Sequence, residues 1–330
     1  MTRNEIGGEF WDVPVSDKTN SLFPENTKWL SSGRIALRYV IRDIKENQTI
    51  HSVSIPSWCC SSMIKPFFDE GIEIDFYSPF ASIQFQTDLV LVMDYFGYTG
   101  NGMTKNYNGL VIRDVTHSIF SASNSDSDYC FGSLRKWAGF WTGGFAWGEW
   151  SNSKQIEKSD ETYIRLRMRA MEQKEEYNEG TKFDKGYLET FMKAEEILDN
   201  CKLVAASDRD IAFAHKLDVN NIKRQRKANA QVLLDAMKKV AIFPKLSDAD
   251  CPLFVPIRVP DGKRDALKRF LIDRNIYCPI HWPISEFHKL DDASRQIYDE
   301  ELSLVCDQRY SVIDMERICE TIDDFYRTRA

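Results

Sequence analysis

The chain has 330 residues, 43% of them hydrophobic and 28% charged, with a net charge of -7. Such a chain can bury a large core in two lobes, and its acidic balance argues against a nucleic-acid partner, which would need a basic face. No run approaches the ~18 uninterrupted apolar residues of a membrane span, so no membrane partner is expected, and the opening MTRNEIGGEF has no signal-peptide core.

Residues 1–28 mix Gly7-Gly8, Pro14 and Pro24 with Phe10, Trp11 and Phe23, and read as an arm lying over the body. Ser31 or Ser32 then caps a helix carrying Ile35, Leu37, Val40, Ile41 and Ile44. The free N–H groups at such a start form an anion site, and Gly33 lets a phosphate approach the backbone. His51 to Ile55 reads as a strand stopped by Pro56, followed by Ser57-Trp58-Cys59-Cys60 and a helix from Met63 to Gly71. Ile72 to Tyr77 alternates as a strand, and the continuous apolar run Leu89 to Met93 reads as a central strand buried on both faces. Asp94 at its end reads as a loop-capping carboxylate, with substrate contact the alternative.

A further apolar run, Leu110 to Ile112, closes on Arg113-Asp114, with His117 three residues later. In open α/β sheets the C-terminal lip of a strand is where ligands sit. Tyr129 to Phe131 leads into Gly132-Ser133-Leu134-Arg135-Lys136, then the Gly143-Gly144 pair and the strand Phe145 to Trp147. One aspartate, one lysine and small residues at points of close backbone approach suggest a cofactor cradle. A lysine amine in a partly desolvated pocket has a lowered pKa and can form a Schiff base. A carboxylate against a pyridine nitrogen keeps that nitrogen protonated.

Ser153 to Gly180 reads as a solvated helix whose charges form a wet face, and Phe183, Tyr187, Leu188, Phe191, Ile197 and Leu198 recur as a core-facing helix. Asn220 to Lys239 is a third helix and a bridge between lobes; its Lys223, Arg224, Arg226 and Lys227 make a local basic patch. Leu253 to Pro260 reads as an edge strand, Asp261-Gly262 as a turn, and Lys263 to Asn275 as an amphipathic helix of a small α+β lobe. The eight cysteines contain no C-x-x-C pair, so structural zinc is not expected, and scattered thiols without a signal fit the cytoplasm. The chain also lacks the G-x-G-x-x-G turn of a nicotinamide-binding domain.

Asp114-x-x-His117, Ser133-x-x-Lys136 and Gly143-Gly144 together resemble pyridoxal-phosphate enzymes of fold type I, and are most similar to the DegT/DnrJ/StrS sugar aminotransferases. There an Asp-x-x-His/Gln element precedes the Schiff-base lysine and a Gly-Gly pair follows it. The family usually shows Ser-x-His-x-x-Lys, whereas this chain has Ser133-Leu134-Arg135-Lys136. The resemblance implies an aspartate-aminotransferase-like α/β fold: an arm over 1–28, a three-layer large domain with a mainly parallel sheet over 29–220, and a small α+β C-terminal domain over 221–330.

It also implies roles. Lys136 would hold pyridoxal 5'-phosphate, Asp114 its pyridinium and His117 its ring face or oxygen. Ser32, Gly33 and Ser133 would hold the phosphate, with Arg34 in place of the family's threonine either adding a charge-assisted bond or pointing away. By count the family's ring-stacking aromatic falls at Cys60, with Trp58 two residues early, and both stay candidates. The segment Ile276 to Pro283, with His281 and Trp282, resembles the one that closes over the substrate. The implied reaction moves an amino group from an amino acid, glutamate by resemblance, to a keto acceptor such as a keto-sugar nucleotide, in a homodimer whose sites the neighbour completes. A carboxylate clamp for an amino-acid substrate would need an arginine, for which Arg258 is the candidate. Two alternatives remain: another reaction of the same cofactor, as a lyase, dehydratase or amino-acid aminotransferase, and a non-catalytic homologue that binds it.

Overall fold

A computed structural model describes residues 5–80, 84–99, 107–121, 127–151, 155–199 and 202–328. The arm does more than lie on the surface. Its strand β1 (Ile6–Gly7) pairs in parallel with a strand near the other end of the chain, Ile6 opposite Ile276 and Gly7 opposite Tyr277. Ile6 is fully buried there.

Seven strands form the central sheet. They are β2 (Lys28–Leu30), β3 (Ser52–Pro56), β4 (Glu73–Tyr77), β5 (Leu89–Met93), β6 (Leu110–Asp114), β7 (Tyr129–Ser133) and β8 (Gly144–Gly148), in the order β2-β8-β7-β6-β5-β3-β4. From β4 to β7 all neighbours are parallel; β8 runs antiparallel to β7, and β2 antiparallel to β8. All five residues of β5 are buried, as its unbroken apolar run predicts for a strand covered on both faces. The chain moves outward from β3 to β4, then returns to place β5 on the other side of β3. Loops at such a reversal point leave a crevice between them, and here they carry Ser57–Cys60 and Asp94–Gly97.

Helix α1 (Gly33–Asn47) begins at Ser32, whose hydroxyl accepts from the Ile35 N–H at 3.3 Å, and buries Ile35, Leu37, Val40, Ile41 and Ile44. It packs on β7 and β8. Gly143 adopts φ +125°, and a Cβ on Gly144 would stand 2.2 Å from the Ser32 carbonyl oxygen. The Gly-Gly pair therefore lets β8 press directly against the start of α1. Helix α2 (Ser61–Asp69) covers β4.

Helix α3 (Glu161–Glu179) starts at the Asp160 cap and ends at Gly180 in the left-handed region, φ 79°. The expected wet face is wrong in one respect: Arg167 is 4% and Lys174 2% exposed. Both lie in one stripe with Tyr163, Met171 and Tyr177, at helical spacing, facing inward. In α4 (Tyr187–Asp199) the buried face carries Tyr187, Phe191 and Leu198, whereas Leu188 is exposed and Phe183, before the helix, is 84% exposed.

A short α5 (Asp208–His215), which no sequence pattern singled out, precedes α6 (Val219–Met237). Arg226 of α6 is not part of a surface patch. It is buried, its guanidinium 4.5 Å from the Trp137 ring and donating to the Leu253 carbonyl at 2.9 Å. The remaining elements are β9 (Phe254–Arg258), α7 (Arg264–Ile272), β10 (Ile276–Tyr277), α8 (Asp292–Glu300), β11 (Glu301–Val305) and α9 (Val312–Thr328). β9 and β11 pair antiparallel, Glu301 opposite Arg258, with α6, α7 and α8 against them and α9 packed on α6 and α7. Among the described residues no helix is long and apolar enough to cross a membrane.

Candidate active site

The parallel strands align their C-terminal ends, Met93 opposite Asp114 and Asp114 opposite Phe131. Asp114 is buried, and its Oδ1 accepts the Thr116 N–H at 2.8 Å. Burial outweighs that bond and raises the carboxyl from 3.8 to about 6. Asp94 is spent on structure: Arg113 donates to it at 2.7 Å and the Ser118 hydroxyl at 2.8 Å, as a loop-capping carboxylate does.

His117 is buried beside Asp114's strand end, its ring stacked with Trp282 at 5.6 Å and tilted against Phe96 at 4.9 Å. Burial pushes the imidazole down to about 3, so it is neutral. Its Nδ1 is buried without a hydrogen-bond partner among the described residues. A buried polar atom left unpaired is costly, which marks this nitrogen as one a ligand would satisfy.

A cavity of about 230 Å³ joins these groups, with Ser32, Gly33, Arg34, Cys60, Asp114, His117, Ser133, Lys136 and Trp282 on its wall. Gly33 and Ser133 face each other, the Ser133 Cβ 3.3 Å from where a glycine Cβ would stand. Lys136 ends a single 3-10 turn (Leu134–Lys136) that continues β7, and its side chain is exposed on this chain rather than desolvated. α1 opens on this wall at Gly33, and the first N–H groups of a helix are not used by its own turns. A helix start, a hydroxyl, a buried carboxyl, an unpaired imidazole nitrogen and a lysine are the donor set that a phosphorylated pyridine aldehyde requires.

Two expectations need correction. Trp58 is outside the cavity: it is fully buried, stacked on Tyr95 at 4.8 Å, and its indole N–H donates to the His281 carbonyl at 2.6 Å. It props up the segment carrying His281 and Trp282, and of the two candidates Cys60 stands on the cavity wall. Arg258 is also elsewhere, paired with Glu300 at 3.1 Å.

The sequence matches no protein-family profile and no curated protein. Its three-dimensional structure does have relatives. A DegT DnrJ EryC1 StrS aminotransferase from Brucella abortus superimposes with a TM-score of 0.60 at 17% identity, over 91% of this chain and 85% of that one. Helicobacter pylori PseC, an aminotransferase involved in the biosynthesis of pseudoaminic acid, gives 0.63 at 11% identity, over 97% and 100%. NtdA from Bacillus subtilis, solved with bound cofactor PMP, gives 0.61 at 12%, over 90% and 72%. This chain has the aminotransferase fold.

Within that aminotransferase fold a second chamber, of about 780 Å³, adjoins the first and shares Ser133, Arg135, Lys136 and Glu195 with it. His281 stands on its wall and is held by a buried chain of polar groups. The Ser303 hydroxyl donates to Glu301, Glu301 accepts the His281 backbone N–H at 2.6 Å, and His281 Nδ1 is 2.8 Å from Ser303 Oγ. Burial pushes Glu301 up to about 7 and His281 well below its usual value.

Sequence reasoning missed Arg167, Lys174 and Glu195 as chamber residues. The signal was present for two of them: Tyr163, Arg167, Met171, Lys174 and Tyr177 follow the helical stripe, so the charges sit inside the apolar face.

Proposed function

We propose that the protein is a pyridoxal 5'-phosphate-dependent aminotransferase. The observation that carries this reading is the meeting of Asp114, Lys136 and the start of α1 on one cavity at the carboxyl end of the sheet. When bound, the cofactor supplies an electron sink for negative charge developing at a substrate carbon.

The chain's own residues divide the work. Gly33 and Arg34 N–H groups and the Ser133 hydroxyl hold the phosphate at the positive end of α1. Asp114 would hold the ring nitrogen, its carboxylate being costly to bury without a positive partner. His117, neutral, supplies a flat partner and an unpaired Nδ1. Lys136 Nζ would anchor the cofactor and would move the proton at the reacting carbon.

Glutamate as donor and a keto-sugar nucleotide as acceptor are supported by the family resemblance, and by a second chamber large enough for an acceptor beside the first. The same resemblance supports a homodimer, and the scattered cysteines, none in a C-x-x-C pair, support a reducing compartment such as the cytoplasm. The resemblance also supports a division of the chain near residue 220, with the later part bringing His281 and Trp282 over the site.

Protein incubated with pyridoxal phosphate should absorb visible light, and borohydride should fix the cofactor on Lys136, read from peptide masses. Lys136→Ala should bind the cofactor reversibly and give no measurable transamination. Label on a different lysine, or none after reconstitution, would overturn the site.

A further inference from the structure

Arg135 and Arg167 converge on Glu195 at the junction of the two cavities, next to Lys136. Arg135 engages both carboxylate oxygens of Glu195 and donates to the Tyr163 hydroxyl at 3.0 Å. Arg167 stands 3.6 Å from the same carboxylate, donates to the Phe140 carbonyl at 3.3 Å, and lies 4.6 Å over the Phe191 ring.

Arg135 and Arg167 share the carboxylate of Glu195, Lys136 and Arg34 add positive charge within its reach, and Glu9 adds negative charge near Arg135. The Arg167 side chain is almost wholly buried, and among the described residues the Nε atoms of both arginines are buried without a hydrogen-bond partner. A cation fixed out of water and under-compensated is expensive to maintain, so the arrangement is built for an anion that arrives later. Glu195 is the solvent-reached member of the three, its side chain 45% exposed. The two arginines nonetheless overcome burial and hold its carboxyl at about 2.

We infer that Arg135 and Arg167 form the subsite for the carboxylate of the amino-acid donor, with Glu195 as its internal counter-ion. Naming the ligand as a donor rests on the proposed function. The planar guanidinium fork fits a carboxylate in two-point geometry, as Glu195 already does with Arg135. Position agrees as well: Arg135 adjoins Lys136 in sequence, so a donor with its amine at Lys136 has its carboxylate beside the pair. This is the role for which Arg258 was the candidate in sequence.

The test is titration calorimetry of glutarate, a dicarboxylate that cannot react, against protein incubated with pyridoxal phosphate. Neutral glutaramide is the control. Glutarate should bind and glutaramide should not. Arg167→Met should weaken glutarate about tenfold to a hundredfold, the worth of a charge-assisted hydrogen bond, and Arg167→Lys should restore only part of it. Glu195→Gln should tighten glutarate, because it leaves both guanidiniums uncompensated, and a gain in affinity cannot arise from misfolding. Glutarate affinity indifferent to Arg167, or unchanged or weakened in Glu195→Gln, overturns the subsite. Visible absorbance of the same samples tests the cofactor reading separately. Coloured protein with indifferent variants overturns this inference alone, whereas colourless protein overturns the proposed function.

Discussion

At the end of β6, burial holds the Asp114 carboxyl at about 6 rather than 3.8. Ionising it in the folded chain therefore costs roughly 3 kcal/mol relative to the unfolded chain. The sign follows from the raised value: the carboxyl's contribution to stability is fully present below its unfolded pKa and is lost as pH rises through about 6. Asp114→Asn keeps an oxygen for the Thr116 N–H and has no charge to bury. Cofactor-free Asp114→Asn should thus be more stable than the parent at pH 8, by up to roughly 3 kcal/mol, with the gap closing toward pH 4. Denaturant melts across pH check this. On the proposed function, the same change in the loaded enzyme would remove the partner of the ring nitrogen, and breaking such a pair costs roughly 3–5 kcal/mol. If much of that falls on the transition state, single-turnover rates drop about a hundredfold to a thousandfold. His117 has the opposite sign. Held near 3 by burial, it stabilises the fold above the ordinary histidine pKa and withdraws that support as pH falls toward its folded value.

Two contacts between elements carry further predictions. Strand β8 reaches the start of α1 only because Gly144 has no side chain. Gly144→Ala must push Ser32 aside, at about 1–3 kcal/mol of overpacking strain, and should weaken cofactor binding together with stability. Equilibrium dialysis and thermal melts should move in the same direction. The arm is tied down by Glu5, which lies 3.5 Å from Lys174 and 3.1 Å from Lys185 and accepts from the Tyr177 hydroxyl at 2.8 Å. These partners overcome burial and lower its carboxyl pKa. Glu5→Gln leaves buried Lys174 without its counter-ion, so β1 and β10 should separate more often. Amide exchange should quicken at Ile6 and stay unchanged in β5.

On the scale of the whole molecule, the larger chamber is basic in an acidic protein. Eight lysines and arginines line it against four glutamates and aspartates, a surplus of four positive charges, while the chain carries -7. Anionic substrates should be drawn in by this field, and raising ionic strength from 0.05 to 0.5 M (about a threefold shorter screening length) should raise the KM of an anionic acceptor while leaving kcat nearly constant. Leu188 and Met192 on the chamber wall are exposed, as is Phe183 before α4, apolar side chains that a second subunit would cover at low cost. Sedimentation at micromolar concentration should give a dimer, and Phe183→Asp with Met192→Glu should shift it toward monomer.

What the sequence determined by itself was whatever depends on near neighbours. The Leu89–Met93 run, a serine cap at 31 or 32 and the carboxylate that closes the Leu110–Asp114 strand were legible because burial on both faces, N-terminal capping and a strand's end leave their marks within a few residues. Only the tertiary structure decided the rest. It set the order β2-β8-β7-β6-β5-β3-β4, turned β8 antiparallel, and paired the arm with residues 276–277. It put Cys60 on the cavity wall and gave Trp58 a partner at His281, 223 residues away. It also decided that Arg167 and Lys174 face a chamber rather than water. A charged residue on a helix satisfies the same local pattern on either side, and what selects the side is the partner it meets: Glu195 for one, Glu5 for the other. Those partners come from elements remote in the chain, and the free energy of meeting them exists only once the chain has closed around them.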